Sequence, residues 1–142
     1  MAELLYKEES YAIVGAAMHV HDVLGCGFGE ELYHEALAIE FAKRGIPFVH
    51  EKRFQVEYEG HVLRHDFYVD FLCYGTIAVE VKAVAQVLNV HKAQLISYLA
   101  ASGLKLGYLI NFGETELNRM RLFPPYRRMK QFLNSPSPDN KL

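Results

Sequence analysis

The stretch Ile77-Ala78-Val79-Glu80-Val81-Lys82 decides how this chain is read. Its Ile and Val side chains suit a pleated, half-buried strand. Successive strand residues point to opposite faces, so Ile77, Val79 and Val81 make one uniformly apolar face that belongs in a core. Glu80 and Lys82 share the other face, with Cα atoms about 6.5–7 Å apart. Charges on so apolar a strand cost free energy unless something compensates them. Either the strand is a solvated edge, or the pair lines a site where an anion and a cation meet. The β-branched content, and the helix that follows, favour a central strand.

One turn upstream, marked by Gly75, the anomaly repeats: Asp70 stands between Val69 and Phe71. If the two strands pair around that turn, Asp70 and Glu80 become cross-strand neighbours, and like charges there repel. A bound divalent cation would remove the repulsion. Two carboxylates and a backbone carbonyl, that of Val81, suit Mg²⁺ or Mn²⁺, which prefer hard oxygen ligands and keep waters. A lysine beside them can position a nucleophilic water or neutralise charge developing on a phosphoryl group. On spacing alone, a structural ion pair is the competing explanation.

Working outward, apolar residues at helical spacing predict a helix over 11–24, closed by Gly25, and a second over about 29–44, closed by Gly45. Pro47 opens a run of strands. Phe54, Val56 and Tyr58 alternate, Glu59-Gly60 makes a two-residue hairpin turn, and residues 62–72 return. A helix over 90–101 ends at Gly103. Residues 104–112 form an apolar strand, and 117–123 alternate again with Arg119 and Arg121 on the face of Leu117. The order α-α-β-β-β-α-β-β predicts an α/β domain in which a mixed β-sheet is flanked by helices, with a parallel β-α-β crossover over 77–112. Residues 1–134 make a single domain. The polar, proline-punctuated residues 135–142 read as a disordered tail.

The chain has 142 residues, of which 51% are apolar, enough for a core without disulfides or structural metals. Its two cysteines, Cys26 and Cys73, form no CxxC, and no apolar stretch of about 18 residues occurs. The expected location is therefore the cytoplasm, with no membrane contact. The net charge of -2 conceals a balance of -7 over residues 1–71 and +5 over 72–142. That excludes a uniformly basic nucleic-acid binder and leaves two readings of the basic second half: a solvated surface or a phosphate-binding face. Arg119, Arg121, Arg127, Arg128 and Lys130 belong to it.

Several motifs occur in series. Gly27-Phe28-Gly29-Glu30-Glu31-Leu32-Tyr33 fits GxxExxY; then come Arg44-Gly45-Ile46-Pro47-Phe48, Asp70-Phe71-Leu72, Val79-Glu80-Val81-Lys82-Ala83, His91-Lys92-Ala93-Gln94-Leu95 and Ile110-Asn111-Phe112-Gly113. The chain resembles the bacterial GxxExxY family, a compact branch of the PD-(D/E)XK nuclease-like superfamily, from about residue 13 to 122. The resemblance implies the restriction-endonuclease-like core. Asp70 would be the metal-binding aspartate, Glu80 and Lys82 the E-x-K element, and Glu30 the helical acid that completes the metal cluster. Gln94 and Tyr98 match a Q-x₃-Y pattern that steers the strand. Val69 and Cys26 stand where many relatives have proline. The implied function is Mg²⁺- or Mn²⁺-dependent hydrolysis of DNA phosphodiesters, with Lys82 positioning the nucleophile. The basic balance of the second half, and not the resemblance, makes Arg119 and Arg121 the expected phosphate contacts, with a solvated face as the alternative. A non-catalytic nucleic-acid-binding or protein-interaction module on the same fold is the alternative. So small a chain also makes a homodimer or a partner protein plausible. The side chains of Glu30, Asp70, Glu80 and Lys82 are expected to converge within about 10 Å, the reach of one or two hydrated ions.

Overall fold

The computed structural model describes residues 5–125. The tail over 135–142, the domain end at 134, and Arg127, Arg128 and Lys130 lie outside the described residues.

Helix α1 spans Lys7–Leu24 and α2 spans Glu30–Lys43. The first begins a turn earlier than its apolar spacing announces. Its opening turn carries Glu8 and Glu9, which the positive end of the helix dipole favours. Strand β1 (Phe48–Phe54) follows, then the short strands β2 (Glu57–Tyr58) and β3 (His61–Val62), and then β4 (Phe67–Cys73) and β5 (Ile77–Lys82). Helix α3 (Asn89–Ser102), β6 (Leu106–Asn111) and β7 (Asn118–Leu122) complete the described chain.

The Glu59-Gly60 turn is present, with φ of 47° and 86°, as a two-residue turn that needs positive φ at both positions requires. The hairpin around it is not continuous. Tyr58 pairs with His61 in a separate two-stranded ribbon, while the main ladder is β1 against β4. The residues between the two ladders are almost all exposed, so little apolar burial holds them to the sheet.

The main sheet runs β1-β4-β5-β6-β7. Only β5 and β6 are parallel, joined through α3; the other neighbours are antiparallel. Strand β5 is the middle strand of five, so Glu80 and Lys82 are not edge residues. Helices α1 and α2 cover one face, where Ile13, Ala17, Tyr33, Leu37 and Phe41 meet Phe71, Ile77, Val79, Val81, Tyr108 and Ile110. Helix α3 covers the other, where Leu95, Tyr98 and Leu99 meet Val69, Ala78 and Leu109. A Cβ on Gly107 of β6 would stand 3.1 Å from the Leu95 side chain, so the glycine sets how closely α3 lies on the sheet. Ile77, Val79 and Val81 are fully buried, as their spacing predicts.

Candidate active site

The β4–β5 ladder starts regularly at its turn: Cys73 pairs with Ile77, Leu72 with Ala78, and Phe71 with Val79. It stops there. At the next level the two carboxylates take over the work of the main chain. The Asp70 amide donates to Glu80 Oε1 at 3.2 Å, and the Val81 amide donates to Asp70 Oδ2 at 2.7 Å. The cause lies in the side-chain alternation. Phe71 and Cys73 face the α1/α2 core, but Val69 and Phe67, at the same parity, face α3. Strand β1 turns over at the same level. Phe48 packs against the α1/α2 core and Phe54 against the other, and Glu51 between them has φ 46°. The sheet opens where both strands turn, and Asp70 and Glu80 occupy the opening.

Lys82 Nζ lies 3.9 Å from Glu80 Oε2, and the side chains of Asp70, Glu80 and Lys82 are each only 15–17% exposed. Glu30, the first residue of α2, lines the same cavity of about 410 Å³ as Asp70, Glu80, Lys82, Gln94 and Tyr98. Two helices on opposite faces of the sheet thus deliver residues to one cavity, α2 by its N-terminal end and α3 by its first turns. Val81 turns its side chain into the core and its amide to Asp70.

Burial holds all three acids above the ordinary carboxylate range. The Glu80 carboxyl is pushed up to about 8, by burial first and by the charge of Asp70 second. Burial also raises Asp70, against the Val81 amide, His34 and Lys82, and it raises Glu30 against Lys82. A cluster of half-buried hard oxygen donors whose ionised forms are penalised is one that a divalent cation would relieve. In this conformation no three His, Cys, Asp or Glu side chains among the described residues are gathered so as to hold an ion. Asp70 and Glu80 are hard oxygen donors, and main-chain and solvent oxygens would complete the shell of a divalent cation beside them.

Tyr98 and Gln94 reach that cavity from α3, whereas Arg119 and Arg121 line a different one. Tyr98 is buried, donates its hydroxyl to the Lys52 carbonyl at 3.0 Å, and stands edge-on to Phe54. Burial and the nearby Glu80 charge raise its pKa. It ties α3 to β1. Gln94 is exposed at the cavity. Arg119 and Arg121 are on β7, at the sheet's edge and on the α1/α2 side, where they line a separate groove with α1. Arg121 donates to Ser10 Oγ, Tyr108 Oη and the Leu5 carbonyl, at 2.7–3.1 Å. Those bonds fasten α1 and the Leu5 carbonyl just ahead of it to the sheet. Arg119 reaches only Met18 Sδ, at 3.5 Å, among the described residues.

Two features escaped the sequence reading. His34 stands 3.8 Å from Asp70; its place four residues after Glu30, on one helix face, was the available signal. Asn111 is fully buried at the end of an apolar strand. Its side chain accepts from the Val84 amide and donates to the Val84 carbonyl, holding the chain just beyond Lys82. Gly113 lies so close to Val84 that no Cβ fits there.

Comparison with known proteins agrees with this architecture. The model of a PD-(D/E)XK nuclease superfamily family matches residues 7–122. A solved structure described as "Crystal structure of SSO0001" superposes with a TM-score of 0.51 at 20% identity, over 88% of this chain. The chain spans 61% of that structure's length. No curated protein matches. No described helix is long and apolar enough to cross a membrane.

Proposed function

The chain belongs to the PD-(D/E)XK nuclease superfamily, and from that premise we propose that it is a metal-dependent nuclease of the GxxExxY branch, cutting DNA phosphodiesters in the cytoplasm. The observation that carries the reading is the opening in the sheet, where Asp70, Glu80 and Lys82 meet in one half-buried cluster. Asp70 and Glu80 would hold Mg²⁺ or Mn²⁺, with the Val81 carbonyl as a third donor and Glu30 acting on a second ion or through a water. When bound, the ion supplies Lewis acidity at the phosphoryl group and makes water a better nucleophile at neutral pH.

The chain's own residues do the rest. Lys82, drawn toward Glu80, directs its ammonium at the attacking water or at charge developing on the phosphoryl oxygens, an interaction strongest in the transition state. Glu30 orders water at the mouth of the cavity. Gln94 meets the substrate from α3. Tyr98 holds α3 against β1, and so keeps Gln94 over the carboxylates. Arg119, with no acidic partner among the described residues, remains available for a phosphate at the far groove. Any second copy or partner protein would add recognition surface.

Incubation with plasmid and single-stranded DNA tests the proposal. Cutting in Mg²⁺ or Mn²⁺ that stops on adding a chelator is the expected result. Protein that binds Mn²⁺ and DNA yet cuts neither DNA nor RNA would establish the non-catalytic binding module instead.

A further inference from the structure

Behind Asp70, two histidines stand in line. His34 lies on α2 one turn after Glu30, and His50 lies on β1 opposite Phe71. His34 Nδ1 is 3.8 Å from Asp70 Oδ1, and its Nε2 is 3.3 Å from His50 Nδ1. Aromatic packing seats both rings. His34 meets Phe71 edge-on at 4.4 Å and stacks on His50 at 5.4 Å, while His50 meets Phe48 edge-on at 5.0 Å.

The Val81 amide holds Asp70 Oδ2, so Oδ1 is the oxygen the main chain leaves to His34. A neutral imidazole has one donor and one acceptor nitrogen. Beside an ionised carboxylate the proton is favoured on Nδ1, because a lone pair there would face negative charge. His34 Nε2 must then accept, and His50 must donate through its own Nδ1. Donation between the rings then runs from His50 to His34, and His34 Nδ1–H faces Asp70 Oδ1 across 3.8 Å, outside hydrogen-bond range.

We propose that His34, backed by His50, is a positioning residue for Asp70: it steadies Oδ1 so that the carboxylate is presented to a divalent cation. The proposal rests on the metal-binding reading above. Each carboxylate oxygen has two lone pairs, so an oxygen that faces a donor can still meet an ion. His50 acts only through His34.

Long-range ¹H–¹⁵N spectra of the metal-free protein give the first test. The expected tautomer at His34 is Nδ1–H, and an Nε2–H tautomer would overturn the proposal. Mn²⁺ calorimetry gives the second. His34→Phe keeps the ring packing and removes the donor, and should weaken Mn²⁺ binding about tenfold, the usual scale for loss of a partner behind a metal ligand. His34→Asn, with an amide N–H near the place of Nδ1, should recover most of it. His50→Phe should weaken binding less, and not at all in the His34→Phe background. Wild-type affinity in His34→Phe, or an added loss in the double variant, contradicts the proposal. A ¹⁴N coupling to bound Mn²⁺ that vanishes in His34→Phe would make His34 a ligand and overturn the positioning role. Wild-type protein that takes up no Mn²⁺ would overturn the metal reading itself, a result distinct from any confined to the His34 variants.

Discussion

Strands β5 and β7 are written in the same way. Each alternates apolar residues with charges, Glu80 and Lys82 on one and Arg119 and Arg121 on the other, and each invites a functional reading. On β5 the charges sit in the middle of the sheet, share a cavity with acids from β4 and α2, and include a carboxyl pushed up to about 8. On β7 they lie at the sheet's edge, and Arg121 donates to Ser10 of α1, to Tyr108 and to the Leu5 carbonyl. The difference is one of partners. A half-buried charge whose neighbours are other charges is held in an unfavourable state that a ligand can relieve. A charge whose neighbours are carbonyl and hydroxyl oxygens is already satisfied.

The largest effect that would sharpen this contrast is on catalysis. Lys82→Ala should lower DNA cleavage by about a thousandfold, the scale of losing a group that stabilises transition-state charge, while Mn²⁺ affinity stays the same or rises. Calorimetry and gel assays on one preparation separate the two. Loss of the metal together with the activity would show that Lys82 holds the carboxylates in place.

On β7 the expected effect is on stability. Arg121→Ala removes hydrogen bonds from a charged donor in partly buried surroundings and should cost about 2 kcal/mol in urea unfolding. Arg119→Ala should change stability by less than about 0.5 kcal/mol. Equal costs for the two would break the distinction drawn between them.

A third effect is in pH dependence. In the fold, Glu80 keeps its proton up to about 8, whereas in the unfolded chain it releases it near the ordinary 4.5. Between those values the folded state binds more protons, so metal-free stability falls as pH rises through the window. The raised Asp70 acts in the same direction. Melting curves in chelator should show wild type losing stability relative to Glu80→Gln from pH 5 to pH 8. A constant difference would contradict the burial of this carboxyl.

The sequence made the fold legible wherever one residue pattern had one meaning. Ile77, Val79 and Val81 announced a buried strand, and the helix after it announced the parallel crossover. Glu30, Asp70, Glu80, Lys82 and Gln94, all singled out in the sequence, line one cavity. What stayed hidden was the turning over of β4 at Asp70 and of β1 at Glu51. A strict two-residue period cannot announce its own interruption, and neither strand carries a glycine or proline there. The contacts of Tyr98, Arg121 and His34 were hidden for a second reason. Each depends on an atom of a sequence-distant residue, the Lys52 carbonyl, the Ser10 hydroxyl and the Asp70 carboxylate, and no local pattern records those meetings.

The central claim is that the opening between β4 and β5 is a cation site. Titration calorimetry with Mn²⁺ on wild type and Asp70→Ala tests it most directly. Wild type should bind and release heat at a defined stoichiometry, Asp70→Ala should show no binding in the same range, and melting curves should find the variant folded. Binding of equal strength in both proteins would place the ion elsewhere and contradict the account.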